Sequence, residues 1–137
     1  IPGRVEFSLD LRAESDAERD ESYRLIEESA HEIAHRRGLH FTAEEIYRAD
    51  AVVCDPDLRA AIEDGIRATG DASPMGIWSR AGHDGMAVVA VTPIAMLFLR
   101  CKGGVSHHPD ESVTQADVAA ALDAFEGAVL AVAANAG

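Results

Sequence analysis

The chain has 137 residues, of which 47% are hydrophobic and 26% are charged, and its formal net charge is −12. Because a phosphate backbone or an anionic membrane is held by clusters of lysine and arginine, this charge argues against both as partners, and no apolar run reaches the roughly 20 residues of a membrane span. Two isolated cysteines, Cys54 and Cys101, make neither a disulfide framework nor a cysteine-based zinc motif, which favours a reducing, cytoplasmic location.

The first predicted element is a strand over residues 4–12, where apolar side chains occupy every second position, Val5, Phe7, Leu9 and Leu11. It follows Ile1-Pro2 directly, and because the chain does not open with Met we expect a fragment or a processed product. Arg12 leaves the polar face where this strand ends. A guanidinium there can hold a carboxylate through two parallel hydrogen bonds, although most arginines at such places are simply solvated.

A helix is predicted over residues 15–38 by a Ser-x-x-Glu capping box at its start and a glycine at its end. It contains His31 and His35 in a literal H-E-x-x-H motif, which binds zinc in one class of metalloproteases. The buried face is expected to centre on three apolar residues, Ile26, Ala30 and Ile33, and both histidines then lie on the opposite, charged side. We therefore favour a chance match on a solvated helix and keep a metalloprotease as an alternative.

The segment after this helix is predicted to be extended at residues 39–43 and 46–54, as one long strand or two short ones. Asp55 as the N-cap and Pro56 at the first helical position then predict a second helix, which ends near Gly70.

The second half of the chain is predicted to contain a buried strand at residues 95–99 and a final helix that Thr114 and Asp117 cap. Residues 85–91 fit either a helix capped by Asp84 or a strand, since so short an apolar run does not distinguish the two. The final helix carries five apolar residues on one face, Val118, Leu122, Phe125, Val129 and Val132.

The loop at residues 103–111 follows the strand predicted at 95–99 and holds His107 and His108. Its two glycines let the backbone turn sharply and Pro109 stiffens the exit, so an imidazole is held where a strand ends. Strand ends in α/β sheets are where sites usually lie. We interpret the loop as part of a metal site, whereas a surface turn with two solvated histidines is the ordinary alternative.

Four segments of the second half resemble the C-terminal signature of the zinc-dependent amidohydrolases that include N-carbamoyl-L-amino acid hydrolases, β-ureidopropionases and allantoate amidohydrolases; they are residues 81–86, 93–98, 104–107 and Glu111. Residues 1–12 resemble a second motif of that family, in which a strand carries the arginine that binds the substrate. Both motifs occur in the family's order and at about its spacing. Arg80 and Gly85 depart from the family's usual Ser-Gly-Ala-Gly-His-Asp-Ala, so the usual substrate preference need not hold.

The resemblance implies an α/β fold in two parts. Residues 1–54 would be the second half of an inserted lid domain used for homodimerisation, and residues 55–137 the C-terminal part of the catalytic domain. It also implies hydrolysis of an N-carbamoyl amino acid or a ureido acid by a metal-activated water. The family's site holds two metal ions. Zinc is the metal that the resemblance favours, with manganese or cobalt as alternatives.

For the site, the resemblance implies that Arg12 binds the carboxylate of a small-molecule substrate and that His107 is a metal ligand. His83 and Asp84 are placed beside the site without a defined role. The family's other ligands and its catalytic glutamate belong to the N-terminal half, so we expect no catalytic residue here and no activity from the isolated chain. A non-catalytic acidic module that pairs with another chain through a strand edge is the alternative from a different class.

Overall fold

The computed structural model describes residues 2–135, and the described part of the chain is helical. Helix α1 covers Asp16–Arg37, α2 covers Pro56–Ala68, α3 covers Gly85–Val88 and α4 covers Gln115–Asn135, and a short 3-10 turn covers Lys102–Gly104. None of these helices combines the length and the apolar character that a membrane crossing requires.

Local capping sets the ends of the long helices where the sequence predicts them. The Ser15 hydroxyl accepts a hydrogen bond from the Glu18 N–H at 3.2 Å, and Gly38 ends α1 in the left-handed conformation with a φ of 65°. The Asp55 carboxylate accepts from the first free N–H groups of α2, and the Thr114 hydroxyl does the same for α4. The predictions of α1, α2 and α4 are confirmed, and residues 85–91 contain the short helix α3 rather than a strand.

The strands predicted at residues 4–12, 39–43, 46–54 and 95–99 are not formed anywhere in residues 2–135. A strand needs a neighbour that takes up its backbone N–H and C=O groups, and alternation along the sequence does not supply one. In the described range, residues 4–12 make no backbone hydrogen bond to another segment. The α/β architecture expected from the sequence is therefore replaced, for these residues, by helices joined by extended segments.

The chain divides into two compact units, and the first comprises Ile1–Ala51 with Trp78–Gly82. Within it, residues 39–51, here called the return segment, run back along α1. The Arg19 Nη1 donates to the Asp16 carboxylate at 2.6 Å and to the Ala49 carbonyl at 2.7 Å. The Ala51 N–H donates to the same Asp16 oxygen at 2.9 Å. The return segment is thus held to the start of α1 by polar contacts.

The face of α1 that packs differs from the one the sequence predicts. Ile26 and Ile33 are 43% and 42% exposed, so the predicted face centred on Ile26, Ala30 and Ile33 is wrong. The covered residues form a neighbouring stripe at helical spacing, which includes Ala30 of the predicted face: Asp16, Arg19, Ser22, Tyr23, Glu27, Ala30 and Ala34. This stripe is mostly polar because the return segment contacts α1 through ion pairs and hydrogen bonds.

The second unit comprises Val52–Ile77 with His83–Gly137, and it is built on the packing of α2 against α4. Gly65 of α2 is buried, as are Ala124 and Ala128 of α4, so the two helices meet through small residues. The five apolar residues predicted on one face of α4 share a face, but it is not the one that packs: Leu122 is 62% and Phe125 is 55% exposed.

Candidate active site

The histidine loop of the second unit is closed at its base by one backbone hydrogen bond. The Lys102 N–H donates to the Ser112 carbonyl at 2.8 Å, so the chain leaves and returns at the same place. Gly103 and Gly104 have φ values of 65° and 69°, a conformation that other residues rarely adopt. The sharp turn predicted from the two glycines is confirmed.

His107 has a φ of 57° and is the single non-glycine residue with a positive φ among residues 2–135. Its backbone N–H donates to the Glu111 Oε2 at 2.9 Å, and this contact fixes the turn. Strained backbone of this kind persists where the surroundings hold it, and it concentrates at functional sites. The imidazole itself is exposed, so it is free to meet a ligand.

His83 and Asp84 lie at the start of α3 in the same unit. The Nδ1 of His83 accepts a hydrogen bond from the Gly85 N–H at 3.0 Å, so this imidazole closes the turn before the helix. Asp84 is the N-cap residue by position but makes no side-chain capping bond. A Cβ on Gly85 would lie 2.8 Å from the Ile94 Cδ1, so the glycine leaves room for that side chain.

These residues do not compose a metal site by themselves. Within residues 2–135, no group of three or more histidine, cysteine, aspartate or glutamate side chains is positioned to hold a metal ion. His31 and His35, which are exposed on α1, do not belong to such a group either. The His31 ring packs edge to face against Phe41, with 5.1 Å between the ring centroids. A catalytic zinc takes three protein ligands, and the described residues do not fit that requirement.

Arg12 lies in the first unit and is held by its own chain. Its Nε and Nη2 donate to the two oxygens of Asp10 at 2.9 and 2.7 Å, and its Nη1 donates to the Arg80 carbonyl at 2.8 Å. The hydrogen bond and the charge of Arg12 lower the pKa of Asp10, and Asp10 raises the pKa of Arg12. The guanidinium is thereby fixed in orientation.

An open depression of about 420 Å³ surrounds this arginine, and its lining is Asp10, Leu11, Arg12, Trp78 and Arg80. The Arg80 guanidinium carbon lies 5.6 Å from the centroid of the Trp78 ring, within cation–π range. The depression therefore presents two guanidinium groups and one carboxylate to a ligand.

Three residues near these sites were given no role by sequence reasoning. Asp10 pairs with Arg12, Trp78 supports Arg80, and Glu111 fixes the His107 turn. The Asp10 contact had a readable signal, because residues two apart lie on the same side of an extended segment. Trp78 had the same signal toward Arg80, two residues further on, but none toward Arg12, which is far away in the sequence.

A model of the family described as peptidase family M20/M25/M40 matches residues 6–131. An allantoate deiminase of Arabidopsis thaliana is 38% identical over 129 residues, which are 88% of this chain and 24% of that protein. A probable allantoate deiminase of Oryza sativa subsp. japonica is 36% identical over 132 residues, 88% of this chain and 27% of the relative.

An N-carbamoyl-L-amino acid amidohydrolase of Geobacillus stearothermophilus is 37% identical over 119 residues, which are 87% of this chain and 29% of that protein. The chain thus spans about a quarter of the length of the curated relatives it matches. No solved structure shows a significant match.

Proposed function

Because the chain belongs to peptidase family M20/M25/M40, we propose that it is part of an amidohydrolase that cleaves the C–N amide or ureido bond of an N-carbamoyl amino acid or a ureido acid such as allantoate. The observation that carries the proposal is the match, over most of this chain, to relatives named allantoate deiminase and N-carbamoyl-L-amino acid amidohydrolase. The family resemblance predicted from the sequence motifs is confirmed.

We propose that Arg12 binds the carboxylate of the substrate. Its five N–H groups are partly used by Asp10 and by the Arg80 carbonyl, and one N–H remains on each terminal nitrogen. Two parallel N–H groups on one edge of a guanidinium match the two oxygens of a carboxylate. The Asp10 pairing supports this role, because a guanidinium already fixed in orientation loses little conformational freedom when a ligand binds.

We propose that His107 is one ligand of a metal site that residues outside this chain complete. Zinc is the first choice, with manganese or cobalt as alternatives, and two ions would occupy the site of the complete enzyme. The support is the exposed imidazole on a turn that Glu111 holds in a strained conformation. His83 and Asp84 lie on the same unit and keep no defined role.

For the chain as a whole, we propose that residues 1–54 belong to a lid domain and residues 55–137 to the catalytic domain of an α/β enzyme. Strands would form at the extended segments when other parts of that enzyme pair with them. We also propose that the complete enzyme is a homodimer, that it is located in the cytoplasm and that it has no nucleic acid or membrane partner.

A second candidate function is a non-catalytic acidic module that pairs with another chain. The observation that favours it is the segment at residues 4–12, whose backbone makes no hydrogen bond to another described segment and whose Phe7 is 77% exposed. An extended segment with free N–H and C=O groups can add to the edge of a sheet in a partner. A stable dimer without metal or turnover would favour this candidate.

The test uses the complete polypeptide that carries this chain. His107→Ala should lower the metal content and abolish turnover of an N-carbamoyl amino acid, because it removes a ligand. The double change His31→Ala and His35→Ala is the matched control and should alter neither, since both side chains lie exposed on α1. Metal content and kcat/KM are measured on the same preparations.

The opposite result would replace the proposal. If the double change on α1 stripped the metal and His107→Ala left it bound, a metalloprotease of the H-E-x-x-H type would be the better interpretation. If wild-type protein turned over none of the N-carbamoyl or ureido substrates, the amidohydrolase proposal would fail.

A further inference from the structure

The depression around Arg12 holds a second guanidinium whose charge is not neutralised. Asp10 is paired to Arg12 through both of its oxygens, with Nε–Oδ1 and Nη2–Oδ2 distances of 2.9 and 2.7 Å. Arg80 forms no salt bridge with any carboxylate in the described range, residues 2–135. In a chain with a net charge of −12, a depression lined by two arginines and one aspartate is locally cationic.

The contact between Arg80 and Trp78 fixes the guanidinium without using its hydrogen-bond donors. The guanidinium carbon lies 5.6 Å from the ring centroid, within cation–π range. A planar guanidinium that has no carboxylate partner can form a bidentate pair with a carboxylate of a ligand. Arg80 is therefore placed to bind an anion.

Arg12 also fixes the backbone that carries Arg80. Its Nη1 donates to the Arg80 carbonyl at 2.8 Å, so the two arginines are coupled through one hydrogen bond. A ligand bound by the remaining N–H groups of Arg12 would lie in the same depression of about 420 Å³. That volume is within the range of small-molecule sites, and the two guanidinium groups favour a ligand that carries two anionic groups.

We propose that Arg80 is a specificity-determining residue that pairs with a second carboxylate of the substrate. The preferred substrates would then be N-carbamoyl amino acids with an acidic side chain, whose first carboxylate binds Arg12. This inference rests on the proposed function above and narrows its substrate class. Arginine suits this role better than lysine, because its planar guanidinium can form two parallel hydrogen bonds to one carboxylate.

The test compares N-carbamoyl-L-glutamate with N-carbamoyl-L-glutamine, which has nearly the same shape but lacks the second carboxylate. In the complete polypeptide, wild type should prefer the acid. Arg80→Gln should lower kcat/KM for the acid roughly 10- to 150-fold, as expected for lost hydrogen bonds to a charged group, and should leave the amide almost unchanged. Arg80→Lys should restore part of the preference, because it keeps the charge without the planar fork.

Arg36→Gln is the matched control, since it removes the same charge from an exposed position in the last turn of α1, in the same unit. It should leave the ratio of the two kcat/KM values unchanged. Equal effects of Arg80→Gln on the acid and on the amide would overturn the inference while leaving the amidohydrolase proposal intact.

A binding measurement separates failure of this inference from failure of the proposed function. Calorimetric binding of both compounds is measured with a chelator present, so that turnover does not interfere. Tighter binding of the acid that depends on Arg80, without turnover of either compound when metal is restored, would keep the carboxylate site and reject the amidohydrolase. Equal binding of acid and amide to wild type would overturn the Arg80 site itself.

Discussion

Gly65 shows how a single hydrogen atom can decide the packing of two helices. A Cβ at this position would lie 2.2 Å from the Ala124 carbonyl oxygen and 3.1 Å from the carbonyl carbon, both of them backbone atoms that cannot rotate away. The helices α2 and α4 can approach this closely because the contact is made by glycine and alanine. The packing of the second unit therefore depends on the absence of a side chain at Gly65.

We predict that Gly65→Ala destabilises the second unit. Overpacking of a tight contact costs about 1–3 kcal/mol, which exceeds the gain of about 1 kcal/mol from better helix propensity. The urea midpoint of unfolding should fall. Gly127→Ala is the matched control, because its Cβ would meet the Gly65 Cα at 3.6 Å, an ordinary contact, and its midpoint should stay or rise. A higher urea midpoint for Gly65→Ala would contradict the prediction, because α2 and α4 would then accommodate the added methyl group without a loss of stability.

At the scale of elements, the return segment is attached to α1 by charges at the surface. Arg48 donates to Asp20 at 2.9 Å and to Glu45 at 2.8 Å. The pKa of Asp20 is lowered by its hydrogen bond to Arg19 first and then by Arg48, and the pKa of Glu45 is lowered mainly by Arg48. Exposed pairs of this kind contribute little one by one and are screened by salt.

We predict that acid releases the return segment from α1. A carboxyl group whose pKa is depressed in the folded state stabilises that state above its unfolded pKa, and this contribution is lost as pH falls through the folded value. For Asp20, the carboxylate of α1 that Arg48 of the return segment contacts, the loss lies below about pH 4. Protection of the Ala51 amide, which is bonded to Asp16, should fall in that range.

Hydrogen exchange, corrected for the intrinsic effect of pH, measures this protection. Arg48→Gln is the informative variant, because it should lower the protection already at neutral pH and flatten its dependence on pH. Arg24→Gln is the control, since Arg24 pairs with Glu21 and Glu28 of the same helix and with no other segment of residues 2–135. A pH-independent protection in wild type would contradict the prediction.

The sequence predicts helix ends far better than it predicts which helix faces are covered. The ends of α1 and α2 depend on contacts within a few residues, such as those of Ser15 and Asp55, and these are readable locally. The covered face depends on a distant segment, which is why polar Arg19 is covered and Ile26 is not. Strand pairing fails for the same reason, because a partner must come from elsewhere.

In the candidate site too, local features can be predicted from the sequence, whereas contacts between distant residues cannot. The turn at Gly103 and Gly104 follows from the residues themselves, since only glycine adopts that backbone readily. The contacts of Arg12 with the Arg80 carbonyl, and of Arg80 with Trp78, join residues that are remote or unremarkable in the sequence. The family resemblance points to Arg12 and His107, whereas the neighbours that orient them appear only in three dimensions.

The surface area of the whole molecule indicates how much of it is left to be covered. The accessible surface is 11131 Å² for a mass of 14.6 kDa. A compact monomer of this mass exposes roughly 6,900 Å², and even two separate compact units of half the mass together expose roughly 8,300 Å². Much of the remaining surface is apolar, as at Phe7 and Leu122. Such area is typical of surfaces that contact further polypeptide.

We predict that the isolated chain has no amidohydrolase turnover with added zinc, manganese or cobalt. Its described residues, 2–135, provide no group of three metal-binding side chains, and its proposed roles are one metal ligand and the binding of substrate. Product formation from an N-carbamoyl amino acid is measured against the complete polypeptide as the positive control. Metal-dependent turnover by the isolated chain would show that a full site assembles from these residues alone.

The hydrogen bond between Lys102 and Ser112 makes residues 103–111 a cassette for protein engineering. This bond joins the two ends of the loop, and each doubling of a flexible loop costs only about 0.6 kcal/mol of closure entropy. The next helix starts from its own cap at Thr114 and does not depend on the content of the loop. Grafted sequences of other lengths can therefore be displayed there while the packing of α2 on α4 is kept.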